Sequence, residues 1–489
     1  MAVEDRKRLV TISPWDGTVT TLKDVDDAAD FASVRGSFQV KQGARKQSMA
    51  QQTRRYGGAL VAGESHENDK VTWKALVRGS TTDEVIQNTE AMLLVTERPR
   101  WDVFFEFRPS SATASTYYAV RGPAEFDLTY EWAQLAGAQS MYVDVSIPVE
   151  PLARGDLATQ TISSTTMPAV VSLGTAIGGN ASALTDVALR WSGGTLPPVW
   201  CLLAWTKRPG TPLASSVAPF GLIEAETAVD LSTWAAIGTD TDYRGSNGIR
   251  CTTSGAGTAS ASWVVDPSVM QPDEFTAGTI DIEVWARIEI DAAVVSPKFT
   301  LSLVPYEGTS FGAVQYDPLD GSAGKLLVNL PSSGVKFRPV RLGVLTMPVD
   351  PAQPLKWKVK LDASWAAGSS GVLGVDYLPM VPARARAACR TGVELNSAYP
   401  RYVASTGDTN KLIRSDLSGL VAKAAGNFGP DVGMGGEPVE LPPGDVDLLV
   451  WPSSVVPDDP VESTTEMQEE HTGVTGKLYT WPRYFLARA

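Results

Sequence analysis

The chain has 489 residues and a formal net charge of −13, with 43% hydrophobic and 20% charged residues. It is too long for one ordinary domain, and its acidic surplus argues against a surface that binds nucleic acid as a whole. No apolar run reaches the length of a membrane-spanning helix, and the opening MAVEDRKRLV has no apolar core behind its charges, so neither a span nor a secretory leader is expected.

Catalytic chemistry finds little purchase. The three cysteines, Cys201, Cys251 and Cys389, stand far apart in sequence and give neither a disulfide framework nor a zinc spacing, so buried thiols are expected. His66 and His471, the two histidines, sit in polar stretches and are too few for a multi-histidine metal site. There is no P-loop, no HExxH and no GxSxG elbow. With 55 acidic residues, a glycosidase-like carboxylate pair carries no specific signal. A non-enzyme is expected.

In chain order, the first marked feature is basic. Lys41, Arg45, Lys46, Arg54 and Arg55 occur without an intervening acid and read as a solvated loop or as an arm that meets an acidic neighbouring subunit. Next, Val71, Trp73, Ala75 and Val77 alternate with polar residues, as a half-buried strand requires. Thr81 and Glu84 form a capping box that opens a helix near 81–95, with Asp83 favourable to its N-terminus. Val85, Ile86, Met92 and Leu93 supply its apolar stripe, and Arg98-Pro99 ends it. Strand alternation resumes at Trp101–Phe107, Phe126–Trp132 and Met141–Ile147. Residues 1–158 therefore read as a β-sandwich with one packed helix.

The polar run PLARGDLATQTISSTT reads as a linker, and two strand-like segments cover about 184–207. A new unit opens near Pro219. In its best strand, Ile280, Ile282, Val284, Ala286, Ile288 and Ile290 alternate with Asp281, Glu283, Arg287 and Glu289. Leu355, Trp357, Val359 and Leu361 alternate with lysines. This region reads as an all-β sandwich or jelly roll. Beyond it, ARARAACR suggests a short helical turn, ELPPGDVDLLVW a Pro-Gly turn entering an apolar strand, PDDPVESTTEMQEEHTG an acidic exposed loop, and KLYTWPRYFLA a last strand.

The helix TTDEVIQNTEAMLL, the strand WDVFFEFRP, and then YYAVRGPAEFDLTYE with MYVDVSIPVEPLARG resemble, in pattern and order, the distal tail proteins of long-tailed bacteriophages, often called minor tail proteins. LIRSDLSG followed by GGEPVELPPGDVDLLVW resembles the later strands of that family's galectin-like sandwich. The resemblance covers about 1–217 and 380–489. It implies a mainly β chain: an N-terminal ring-forming sandwich (1–158), a galectin-like sandwich in two parts (159–217 and 380–489), and an inserted jelly roll (218–379). It further implies a homo-oligomeric ring, usually a hexamer, in the tail tip of a virion assembled in the host cytoplasm. The ring would join the tail tube protein to the hub protein. The basic residues 41–55 would then contact a neighbouring subunit or the tube.

LIEAE and LGVDYLP in the insertion resemble jelly-roll carbohydrate-binding modules. In those, acids on the first and last strands can hold a structural calcium, which takes several oxygen ligands; Glu224, Glu226 and Asp376 are the matching positions. No other cofactor is expected. Trp234, Tyr243, Trp263 and Trp285 are the aromatics available to stack on a host-surface glycan; core or interface packing is the competing assignment for each. Trp285 interrupts the polar face of its strand, which places it either exposed on the sheet or under another layer. A lectin-like protein with 218–379 as its working part is the alternative to the tail-tip reading.

Overall fold

The structure is a computed structural model. It describes residues 6–12, 17–26, 29–34, 36–41, 45–50, 60–66, 68–97, 103–109, 112–128, 139–192, 200–207, 222–265, 279–306, 325–326, 337–348, 356–383, 386–391, 413–414, 432–436, 440–453 and 473–484. The fold is mainly β, built from antiparallel sheets in sandwich-like pairs, with one α-helix among the described residues. It divides into two compact units. The first comprises Met1–Ala158, Gly179–Ala181 and Trp481–Ala489; the second comprises Thr159–Gly178 and Ser182–Thr480.

In the first unit, one sheet runs Val19–Asp24, Arg6–Ile12, Phe104–Arg108, Thr116–Ala119 and Ala153–Arg154, with the end of the last strand (Arg483, Tyr484) beside it. The other runs Glu125–Leu128, Ser140–Val149 and Asp69–Arg78, with Phe31–Ser33 and Gln39–Lys41 both pairing on Asp69–Arg78. Alternation decides which side chains go inward. Val71, Trp73, Ala75 and Val77 meet Met141, Val143, Val145 and Ile147 on one inner face, and Leu9, Phe105, Tyr118 and Val120 fill the facing layer.

The helix Thr82–Thr96 contributes Val85 and Met92 to the same core. Its capping differs from the expected box by one residue. Thr81 Oγ1 accepts the Glu84 N–H at 3.2 Å, but the Glu84 carboxylate takes the N–H and hydroxyl of Ser80, each at 2.5 Å. These bonds hold the Glu84 carboxyl below its usual range, the Ser80 hydroxyl being the larger cause. Thr96 ends the helix buried, its hydroxyl accepting the Ala124 N–H at 3.0 Å.

The second unit holds the jelly roll. One of its sheets runs Ala235–Ile237, Gly248–Ser254, Ser370–Leu378, Thr279–Ile290 and Phe337–Pro348. The other runs Asp230–Ser232, Gly257–Val265, Lys356–Trp365, Lys298–Tyr306 and Lys325–Leu326. Their inner faces close on Ile249, Trp263, Ile282, Val284, Ile288, Leu303, Val359 and Val375. A further five-stranded sheet runs Ala169–Ser172, Val446–Ser453, Trp200–Lys207, Arg386–Thr391 and Val432–Gly436. The strand before the jelly roll and the strand after it, Trp200–Lys207 and Arg386–Thr391, are paired neighbours in that sheet.

Two sequence expectations fail here. The polar run taken as a linker contains the strand Ala158–Ser164, in which Gln160 and Ile162 are buried. Gln160 is satisfied there by the Thr175 carbonyl and N–H, at 2.8 and 3.3 Å. ARARAACR, read as a helical turn, overlaps the strand Arg386–Thr391, because the edge of Trp200–Lys207 pairs with it. The acidic run around Asp458–Glu470 lies outside the described residues, as does LIRSDLSG apart from Ile413–Arg414.

Candidate functional site

The outer face of the Glu125–Leu128, Ser140–Val149, Asp69–Arg78 sheet is polar and its charge is sorted. Lys70, Thr72 and Lys74 point outward from one strand, Asp144 and Ser146 from the next, Glu125 and Asp127 from the edge strand, and Gln39 and Lys41 from the opposite edge. They line a shallow groove of about 660 Å³. Asp127 stands directly opposite Asp144, and Lys41 directly opposite Lys70. Like charges facing across a strand pair are unfavourable. One ion pair, Lys70 with Glu125 at 2.9 Å, crosses the groove, and Lys74 lies 5.9 Å from the centroid of the half-exposed Tyr142 ring.

Of the five basic positions singled out in the sequence, Lys41 lies exposed at this groove. Arg45 and Lys46 begin the strand Arg45–Ala50, which forms a two-stranded hairpin with Leu60–His66. Arg54 and Arg55 lie outside the described residues.

The four aromatics considered for sugar stacking are all buried. Trp234 and Trp263 belong to the jelly-roll core, where the Trp263 indole N–H donates to the Ala225 carbonyl at 3.0 Å. Tyr243 lies over Gly248 and Gly374, where a Cβ would collide with its ring. It packs edge-on to Phe337 with centroids 5.0 Å apart and donates its hydroxyl to Glu289 at 2.5 Å. Burial, then the Glu289 charge, pushes its phenol well above the ordinary range. Trp285 is under another layer: it packs on Trp200 at 5.2 Å and on Trp451 at 6.2 Å, in a cluster with Leu202, Tyr377 and Leu449. None of the four offers a ring face to a sugar: Trp234 and Trp263 lie between the two jelly-roll sheets, Tyr243 is packed down on Gly248 and Gly374, and Trp285 lies under Trp200 and Trp451.

The polar face of Thr279–Ile290 is a buried charged seam and not a solvated surface. Glu283, Arg287 and Glu289 are all buried. Glu283 pairs with Arg341 at 2.6 Å, Glu289 with Arg250 at 2.9 Å, and Arg287 with Asp376. Pairing of this kind is what makes buried charge tolerable.

Glu224, Glu226 and Asp376 enter the same region without forming a cation site. Arg244 contacts the Glu224 carboxylate, donates its backbone N–H to Asp376 at 2.9 Å, and reaches the Met167 and Pro168 carbonyls at 3.2 and 3.4 Å. The other Asp376 oxygen takes the Arg287 guanidinium. Glu226 keeps one buried carboxylate oxygen with no hydrogen-bond partner. Among the described residues no group of three acidic, histidine or cysteine side chains could hold a metal ion. The donor set does not fit calcium, since guanidinium groups already neutralise two of the three acids.

The ion pairing of the arginines in this seam was not legible in the sequence, because their partners lie far away in the chain: Asp376 is 89 positions from Arg287 and 132 from Arg244. The sorted charge at Asp127, Asp144, Lys41 and Lys70 was equally silent until strand register was known.

No family model matches the sequence, and no curated protein matches it. Among solved structures, the chain is similar to the SPP1 Dit protein, described as a paradigm of the hub adsorption apparatus in phages infecting Gram-positive hosts. That match has 14% identity over 42% of this chain and 72% of the other, with a TM-score of 0.25. It is similar to a chain of the phage P2 baseplate in its activated conformation with Ca, at 9% identity over 73% and 97%, with a TM-score of 0.21. It is also similar to a carbohydrate-binding module of the β-sandwich superfamily, at 10% identity over 78% and 99%, with a TM-score of 0.23.

Proposed function

We propose that this chain is a structural protein of a phage tail tip, whose first unit assembles into a ring, in number a hexamer, between tail tube and hub. The observation that carries the reading is the sorted charge on the outer sheet of the first unit. Asp127 and Asp144 face each other at one side, and Lys41 and Lys70 face each other at the other. Each pair is unfavourable within one copy. A head-to-tail contact sets the acidic side of one copy against the basic side of the next, and repeats around an axis until the ring closes. The core closed by the helix gives that sheet a rigid backing. The jelly roll of the second unit serves as a host-surface module; its four candidate aromatics are buried, so glycan binding uses other residues.

Charge reversal tests the ring. Asp127→Lys with Asp144→Lys should abolish assembly of the purified chain, as should Lys41→Glu with Lys70→Glu. Mixing the two variants should restore assembly as alternating copies, since every contact then sets a basic side against an acidic one. Assembly unaffected by either pair of changes would rule out this face as the contact.

A further inference from the structure

Cys201 and Cys389 stand far apart in sequence but directly opposite each other in the sheet: in the antiparallel pairing of Trp200–Lys207 with Arg386–Thr391, Cys201 is the register partner of Cys389. Residues opposite in an antiparallel pair project to the same face of the sheet, with Cα atoms about 4.5–5.5 Å apart. A disulfide requires about 4.4–6.8 Å. Cys201 is fully buried, its thiol 3.8 Å from the Leu202 carbonyl. Cys251 belongs to the jelly-roll core, in a different sheet, where the residue opposite it is Leu373 and not a cysteine.

The position of the pair gives it a role. Trp200–Lys207 is the last described strand before the jelly roll and Arg386–Thr391 the first after it. A bond between Cys201 and Cys389 would close the whole insertion into a covalent loop at its root. We propose that Cys201 and Cys389 form a redox-dependent staple: dithiol in a reducing cytoplasm, disulfide once the chain meets an oxidising medium. The oxidant is a small-molecule disulfide of the glutathione type. A cysteine thiolate attacks it to give a mixed disulfide and releases one thiol. The second cysteine then displaces the other, so that one S–S bond forms in the protein, one breaks in the oxidant, and the two protein thiol protons end on the two released thiols.

The test is thiol mapping of the full chain after incubation with oxidised glutathione, both in the native state and after refolding from denaturant. The expected result is a linked peptide pair holding Cys201 and Cys389, released by reductant, with Cys251 still open to alkylation. Cys389→Ser should abolish the linked pair, and Cys251→Ser should leave it intact. The oxidised wild type should melt at a higher temperature than the reduced one, with the difference lost on adding reductant. Alkylation of all three cysteines in both preparations, or a bond that involves Cys251, would overturn the proposal.

Discussion

At the level of single residues, arginines set the electrostatics of the second unit. Asp376 is fully buried, with one oxygen on the Arg244 N–H and the other on the Arg287 guanidinium. Removing one partner of a buried pair strands the other, so Asp376→Ala should cost about 3–5 kcal/mol, measured by denaturant unfolding. The wild-type melting temperature should be the same in chelator and in calcium, since two of the three acids expected to bind calcium, Glu224 and Asp376, are held by Arg244 and Arg287. Glu84 makes a smaller prediction. Its folded pKa lies below the ordinary value, so its contribution is present above the carboxylate range and fades as pH falls through the folded value. Glu84→Gln should therefore lower the melting temperature of the first unit slightly at neutral pH, with the difference vanishing in acid. A difference that persists at low pH would point to packing and not to the charge.

At the level of elements, the strands of both sandwiches were legible because alternation is a local property. Val71, Trp73, Ala75 and Val77, and Leu355, Trp357, Val359 and Leu361, announce a two-sided strand without knowledge of any partner. The same local signal cannot say what covers the other side. Trp285 stands among charged residues in sequence, yet Trp200 and Trp451 bury it, and Glu283, Arg287 and Glu289 beside it are buried as well. ARARAACR carries helix-favouring residues, and pairing to Trp200–Lys207 overrides that preference. Loss of this layer is measurable: Trp451→Ala should cost about 3–5 kcal/mol by the lost burial and the cavity left behind. Leu94→Ala, on the exposed face of the helix at 65% exposure, should change stability by less than about 0.5 kcal/mol.

At the level of the whole molecule, function lies in surfaces. The first unit presents a sheet with acids at Glu125, Asp127 and Asp144 and bases at Lys41, Lys70 and Lys74; Asp144 faces Lys74 and Lys70 pairs with Glu125, while Asp127 opposite Asp144 and Lys41 opposite Lys70 are like-charge pairs that a neighbouring copy would relieve. Contacts of this kind are exposed and screened by salt, so the assembly should loosen as ionic strength rises. The second unit joins the insertion to its neighbouring sheet through the Trp200, Trp285, Trp451 and Tyr377 cluster and through Arg244 on the Met167 and Pro168 carbonyls, which makes the insertion a fixed projection of that unit. The mass of the purified chain in solution, by light scattering across protein and salt concentrations, decides whether the ring exists. A closed hexamer at low salt that dissociates as salt is raised is the expected result. A strict monomer at every protein concentration and every ionic strength would contradict it.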